Sequence, residues 1–210
     1  MSHTLHRYGP DKASLEGDYV VFAIAAQTVN AKGISPEFAE FERITKKYNP
    51  VNYGDMRTGN VFNVGAGAVS AGYRDNTIVH AVFTDTDTVA AVLKELSEAN
   101  LHISIVVSGL MEATAECCHK AGIAPHTVEY SLGIWGKREL LPDPSVLEVS
   151  TMCGHGMLSF NLIRELAGQV DRGVLTAEAA AEKLAGLCHC GVFNPTRAAD
   201  VFRKMTGKGA

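Results

Sequence analysis

The sequence predicts an α/β protein: a three-layer, open, mostly parallel sheet with a helical C-terminal extension. Two patterns carry that expectation. Between Asp18 and Trp135, apolar runs rich in β-branched residues alternate with amphipathic stretches, as when strands cross over through helices. Beyond Trp135 the apolar periodicity is helical only. With 210 residues, 46% of them hydrophobic, the chain can bury a full core without staples.

In chain order, the first strand is "YVVFAIAA" (Tyr19 to Ala26). It is followed by the helix "SPEFAEFERITKKY", which opens on a serine cap with proline at its first position. Tyr48 to Asn76 holds five glycines and no period, so it reads as an irregular connection with at most a short strand "NVFNV". The second main strand is "TIVHAVFT" (Thr77 to Thr84). The helix "DTVAAVLKELSEAN" then places Val89, Val92, Leu93 and Leu96 on one face. "HISIVVS" (His102 to Ser108) is the third strand, "GLMEATAECCHKAG" a helix ending at Gly122, and "HTVEYSLGIW" (His126 to Trp135) the fourth strand. "GKRELLPDPS" with its two prolines reads as a linker. Helices follow over Gly156 to Arg172, Thr176 to Leu187 and Pro195 to Lys204, with Thr176 and Asn194 as N-caps. The division is an α/β domain over 1–140 and a helical extension over 141–210, packed on the strand ends.

Composition excludes some classes of function. Net charge is -4 with no basic stripe, so the footprint for nucleic acid is missing. Apolar runs fall far short of the roughly 20 residues of a membrane span, and the polar start is unlike a secretory signal. The expected setting is the cytoplasm, and self-association stays open. There, five cysteines stay reduced and available as thiols or ligands.

"VFNVGAGAVSAG" carries Gly65, Gly67 and Gly72 after a short apolar run, with Asp85 following at the next strand end. It loosely matches a dinucleotide fingerprint. The third glycine position holds Ser70, and the next strand follows too closely for a crossover helix, so a flexible turn is the better reading.

The cysteines separate by local position. Cys153, in "TMCGHGM", and Cys188 and Cys190, in "CHCGVFNP", precede predicted helix starts, where unpaired N–H groups favour thiolate. Cys117 and Cys118 lie in the last turns of a helix. Cys117 shares a face with Leu110 and Ala113 and reads as a small core hydrophobe, while Cys118 is an outside candidate as a ligand.

Cys153, Cys188 and Cys190, with His155 and His189 beside them, make up a candidate metal set. An iron–sulfur cluster is preferred to zinc, because C-x-C places two sulfurs awkwardly on one small ion and the spacing lacks paired C-x(2–4)-C motifs. Two other readings stay open: a metal-free nucleophile, Cys153, with His155 as base, and tight packing of small residues where helices cross.

Ligands of a parallel sheet lie beyond its carboxyl ends. Those ends hold Asp85 (catalytic acid or helix cap), Ser108 and Gly109 (a turn offering N–H groups to an anion), Lys137 and Arg138, and Trp135 as a pocket wall. His80 reads as a core histidine, nothing marks His126, and His3 and His6 read as a tail as much as a ligand pair. Together these residues predict a metal-binding protein, most readily iron–sulfur. Its chemistry would be redox or hydro-lyase on a small anionic substrate, with Asp85 or His155 as base. The alternatives are a cysteine-nucleophile enzyme and a non-catalytic ligand-binding or accessory protein.

Overall fold

The computed structural model describes residues 6–207. Five strands form one sheet: β1 Tyr19–Ile24, β2 Asn52–Asp55, β3 Gly59–Asn60, β4 Ile78–Phe83 and β5 Ser104–Ser108, in the order β3-β2-β4-β1-β5. Every pairing is antiparallel, so the mostly parallel sheet is not what forms.

The reason lies in strand insertion. β1 and β2 run the same way and are joined through the helix α2 (Ser35–Lys46), as a crossover requires. However, β4 lies between them and pairs with both. β4 and β5 likewise run together through α4 (Thr86–Ala99), with β1 between them. This is the split β-α-β connectivity. As a result the C-terminal ends of β4 and β5 meet the N-terminal end of β1, with Tyr19 opposite Phe83 and Val20 opposite Ser108.

Several elements depart from the sequence reading. The glycine-rich stretch contains β2, β3 and the short helix α3 (Ala66–Gly72). The expected linker contains a 3-10 turn at Arg138–Leu140 and the start of helix α6 (Pro144–Thr151). Residues 126–135 alternate like a strand but pair with nothing in the sheet, and they leave Tyr130, Leu132 and Trp135 exposed. The first helix among the described residues is a single turn, α1 (Lys12–Leu15). The remaining helices, α5 (Met111–Lys120), α7 (Phe160–Asp171), α8 (Ala177–Leu187) and α9 (Pro195–Met205), fall within the expected stretches.

Strand alternation sends successive side chains to opposite faces. Tyr19, Val21, Ala23, Ala81 and Phe83 pack beneath α2, α4 and α5. Val20, Phe22 and Val82 pack beneath α6 to α9. Each fully buried large apolar side chain contributes about 1.5–3 kcal/mol, and Tyr19, Phe38, Phe193 and Phe202 are all completely covered. No helix among the described residues is long and apolar enough to cross a membrane.

A buried ion network ties the N-terminal segment to this helical layer. Arg197 of α9 donates to Asp18 (2.8 Å), the Tyr8 carbonyl (2.7 Å), Ser14 Oγ (3.0 Å) and Glu148 of α6 (3.0 Å). Arg7 pairs with Asp18 and donates to the Val192 carbonyl. Buried charges need such partners, and these ones fix α6, which leads to Cys153, against α9 and the loop after Cys190.

Candidate functional site: a buried three-cysteine centre

Cys153, Cys188 and Cys190 come together under one sheet face, in the core shared with α6 to α9. Their exposures are 2%, 0% and 3%. The Cys188 and Cys190 sulfurs are 3.9 Å apart, and Cys190 Sγ lies 3.5 Å from His155 Nδ1. Cys153 belongs to the same buried cluster as Cys188, and the two thiols influence each other's ionisation.

The local structure that places them differs from the expected helix starts. Cys188 is the C-cap residue of α8, at the negative end of its dipole, and Cys153 follows the C-terminus of α6. A tight turn carries the chain from Cys188 to Gly191, whose N–H donates to the Cys188 carbonyl (2.9 Å). Gly191 has φ +77, and a Cβ there would sit 2.3 Å from Asn60 Cβ. Only glycine fits without strain. Asn60, fully buried on β3, donates from Nδ2 to the Cys188 carbonyl (2.8 Å) and the Ala185 carbonyl (3.3 Å). Asn52 of β2 holds the Phe193 carbonyl at 3.0 Å. The β2–β3 edge is therefore the cradle of the "CHCGVF" loop. Sequence reasoning missed both asparagines; the polar run "NYGD" and the pair "GN" give no strand period, and only their buried amides mark the role.

Electrostatics separate the sulfurs. The Cys188 S–H donates to Cys153 and holds its thiol well below the ordinary range, to about 6, against the opposing effect of burial. Backbone N–H groups of Met157 and His155 add to the same effect. Cys188 is pushed up, first because it gives its proton to Cys153 and then by its contact with Cys190 and by burial. Cys153 is therefore the sulfur whose surroundings favour the thiolate.

Cys153 lines a cleft of about 600 Å³ that also touches His6 and Arg164. His155 is exposed and reaches Cys190 through Nδ1; its backbone N–H serves Cys153. His189 is exposed, with Nε2 3.2 Å from the Arg57 carbonyl. Ser108, Gly109 and Trp135 do meet, around a separate cavity of about 950 Å³ that also includes Arg138 and shares only His6 with the cysteine cleft. A Cβ at Gly109 would strike the Tyr19 ring at 2.5 Å, so packing explains that glycine.

Asp85 caps α4, accepting from Thr88 N at 2.7 Å, and lines neither cavity. Cys117 and Cys118 lie under the opposite sheet face. The sheet therefore separates Cys118 from the other sulfurs. Gly65 is the N-cap of the short α3, His80 is buried at 2% exposure, His126 is exposed, and His3 lies outside the described residues.

Among the described residues, as the side chains stand, no group of three or more His, Cys, Asp or Glu could hold a metal ion. The close contacts run from Cys188 to Cys190 and from Cys190 to His155. Comparison of the chain with protein-family models, with curated proteins and with solved structures gives no match, so the site stands on its own geometry.

Proposed function

We propose that this chain is a thiol–disulfide exchange protein in which Cys153 attacks and Cys188 resolves. The observation that carries this reading is the grouping itself: Cys153 lines a cleft and packs in one buried cluster with Cys188, a second and fully buried thiol that influences its ionisation. A nucleophile of an acyl-transfer site has a base beside it. The partner of Cys153 is another sulfur, which suits exchange.

In the first step the Cys153 thiolate attacks one sulfur of a disulfide substrate. A new S–S bond forms, the substrate S–S bond breaks, and the departing thiolate carries the bonding pair. The Cys153 charge is then gone, so Cys188 loses the acceptor that held its proton. Cys190, 3.9 Å from Cys188 and 3.5 Å from the exposed His155 ring, offers that proton a way out. Cys188 attacks the Cys153 sulfur, closes a Cys153–Cys188 disulfide and frees the second half of the substrate as a thiol. The substrate gains two electrons, and an external dithiol returns two to the protein.

The test is mild oxidation with diamide followed by peptide mapping. The expected product is a peptide pair linked through Cys153 and Cys188. Oxidised protein in which Cys153 stays a free thiol contradicts the reading.

A metal centre is the second reading, favoured by spacing. Two thiolates on one tetrahedral zinc lie about 3.8 Å apart, and a thiolate and an imidazole nitrogen about 3.5 Å. The observed 3.9 and 3.5 Å suit one ion better than a cluster that binds each sulfur at a separate iron. This reading requires Cys153 to turn toward the other two sulfurs. Metal analysis with a visible spectrum on protein purified without oxygen separates the cases. One zinc per chain that blocks Cys153 alkylation supports the single ion. Several irons with a broad visible band support a cluster able to serve redox or hydro-lyase chemistry.

A further inference from the structure

We infer that the cleft over Cys153 selects anionic substrates, so that the disulfide or other electrophile it admits carries a carboxylate or similar oxyanion near the reacting atom. The inference rests on the Cys153 reading above and concerns what reaches that sulfur.

The charge on the walls carries the argument. Among the described residues, no aspartate or glutamate lines the cleft, and its charged or titratable side chains besides Cys153 are His6 and Arg164. Arg164 pairs with Asp143 at 3.7 Å, and both side chains are open to solvent, so the pairing is loose and easily displaced. Arg164 Nη1 also donates to Asn161 Oδ1 at 3.2 Å, which ties the guanidinium to the first turn of α7, where Asn161 also lines the cleft. Phe160 and Asn161 of that turn line the cleft beside Ser159, Gly154 and Gly156. The walls therefore offer a planar cation, hydroxyl and amide groups and the positive end of a twelve-residue helix, with no carboxylate among the described lining residues. A neutral substrate gains none of these contacts. An anionic one is drawn toward a sulfur that itself bears negative charge only because Arg164 outweighs the repulsion at the mouth. That balance makes Arg164 a specificity-determining residue.

The test compares two alkylating agents of nearly equal size on the full chain, iodoacetate and iodoacetamide. In each, the Cys153 sulfur forms a bond to the methylene carbon and iodide leaves with the bonding pair. Labelling is read at Cys153 by peptide mass spectrometry. Native protein is expected to react about threefold faster with iodoacetate than with iodoacetamide, the effect of one favourable charge contact at partly screened range. The urea-unfolded chain supplies the reference ratio, with the neutral reagent faster. Arg164→Gln removes the native preference and Arg164→Lys keeps it. Salt at 1 M, where screening acts within about 3 Å, also removes it.

Because Arg164 is on the surface and the ratio is internal to each variant, altered stability does not mimic the result. A native preference for iodoacetamide, or an iodoacetate preference unchanged in Arg164→Gln, overturns the inference and leaves Cys153 as the thiolate. Cys153 inert to both reagents overturns the thiolate reading itself.

Discussion

Cys117 and Cys153 are the same residue with nearly the same burial, 0% and 2% exposed, on opposite faces of one sheet, yet their thiols are driven in opposite directions. Cys117 sits in the body of α5, and its S–H donates to the Thr86 carbonyl at 3.4 Å. Burial pushes it up, and burial pushes up its neighbour Cys118 as well. Cys153 is instead pulled down, first by Cys188 and then by two amides of its own loop. Burial alone penalises a thiolate; donors aimed at the sulfur reverse the penalty.

The strongest way to break this contrast is to disturb the loop that carries Cys188. Gly191→Ala places a Cβ 2.3 Å from Asn60 Cβ at φ +77. The expected cost is on the order of 2–3 kcal/mol, from left-handed strain plus a displaced buried amide, and chemical denaturation reads it directly. Asn60→Ala, which leaves the Cys188 and Ala185 carbonyls without their donor, is expected to cost about 1–3 kcal/mol.

A second perturbation acts on the donor itself. Cys188→Ala removes the largest stabiliser of the Cys153 thiolate, so the pH midpoint of Cys153 alkylation rises from near 6 toward the ordinary thiol range. Cys188→Ser keeps a donor and restores much of the shift. An unchanged midpoint in Cys188→Ala means that the loop amides suffice and that Cys188 has no electrostatic role.

A third effect is on stability. Cys153 has a folded pKa below its unfolded value, so the unfolded chain binds more protons between the two. Its contribution is fully present above the unfolded thiol pKa and is lost as pH falls through about 6. Denaturation midpoints of the wild-type chain should therefore rise from pH 6 toward 9, and Cys153→Ala should flatten that rise. The smallest effect is expected on the other face, where Cys118→Ala leaves the reactivity of Cys153 unchanged because the sheet lies between them.

The same two faces show what sequence makes legible. β1, β4 and the helices α4, α7, α8 and α9 carry strong apolar periods and fall where the residues place them. Pairing order does not follow from such periods. A strand–helix–strand run looks the same whether its two strands are neighbours or are split by a third, as β4 splits β1 from β2, and β2 itself is a polar "NYGD" with no alternation. The reverse failure is 126–135, which alternates well but has no sheet partner. At the site, residue chemistry pointed to Cys153, Cys188 and Cys190, and the fold brings them together. The physical reason offered, helix starts, fails at both places, since Cys188 caps the end of α8 and Cys153 follows α6. Amides of a loop and a neighbouring thiol do that work, and both depend on a three-dimensional meeting that spacing along the chain leaves open.

The central claim is that Cys153, unlike Cys117, Cys118 and Cys188, is a thiolate at neutral pH. It is tested by the pH dependence of iodoacetamide labelling, followed at each cysteine of the native protein by mass spectrometry. At pH 7 a thiol with pKa near 6 is mostly ionised, but its lower nucleophilicity leaves a net gain of about fourfold over an ordinary thiol. The predicted result is that Cys153 labels first, with a midpoint near pH 6, while Cys117, Cys118 and Cys188 stay slow until the alkaline range. A Cys153 midpoint at or above that of Cys117 contradicts the account.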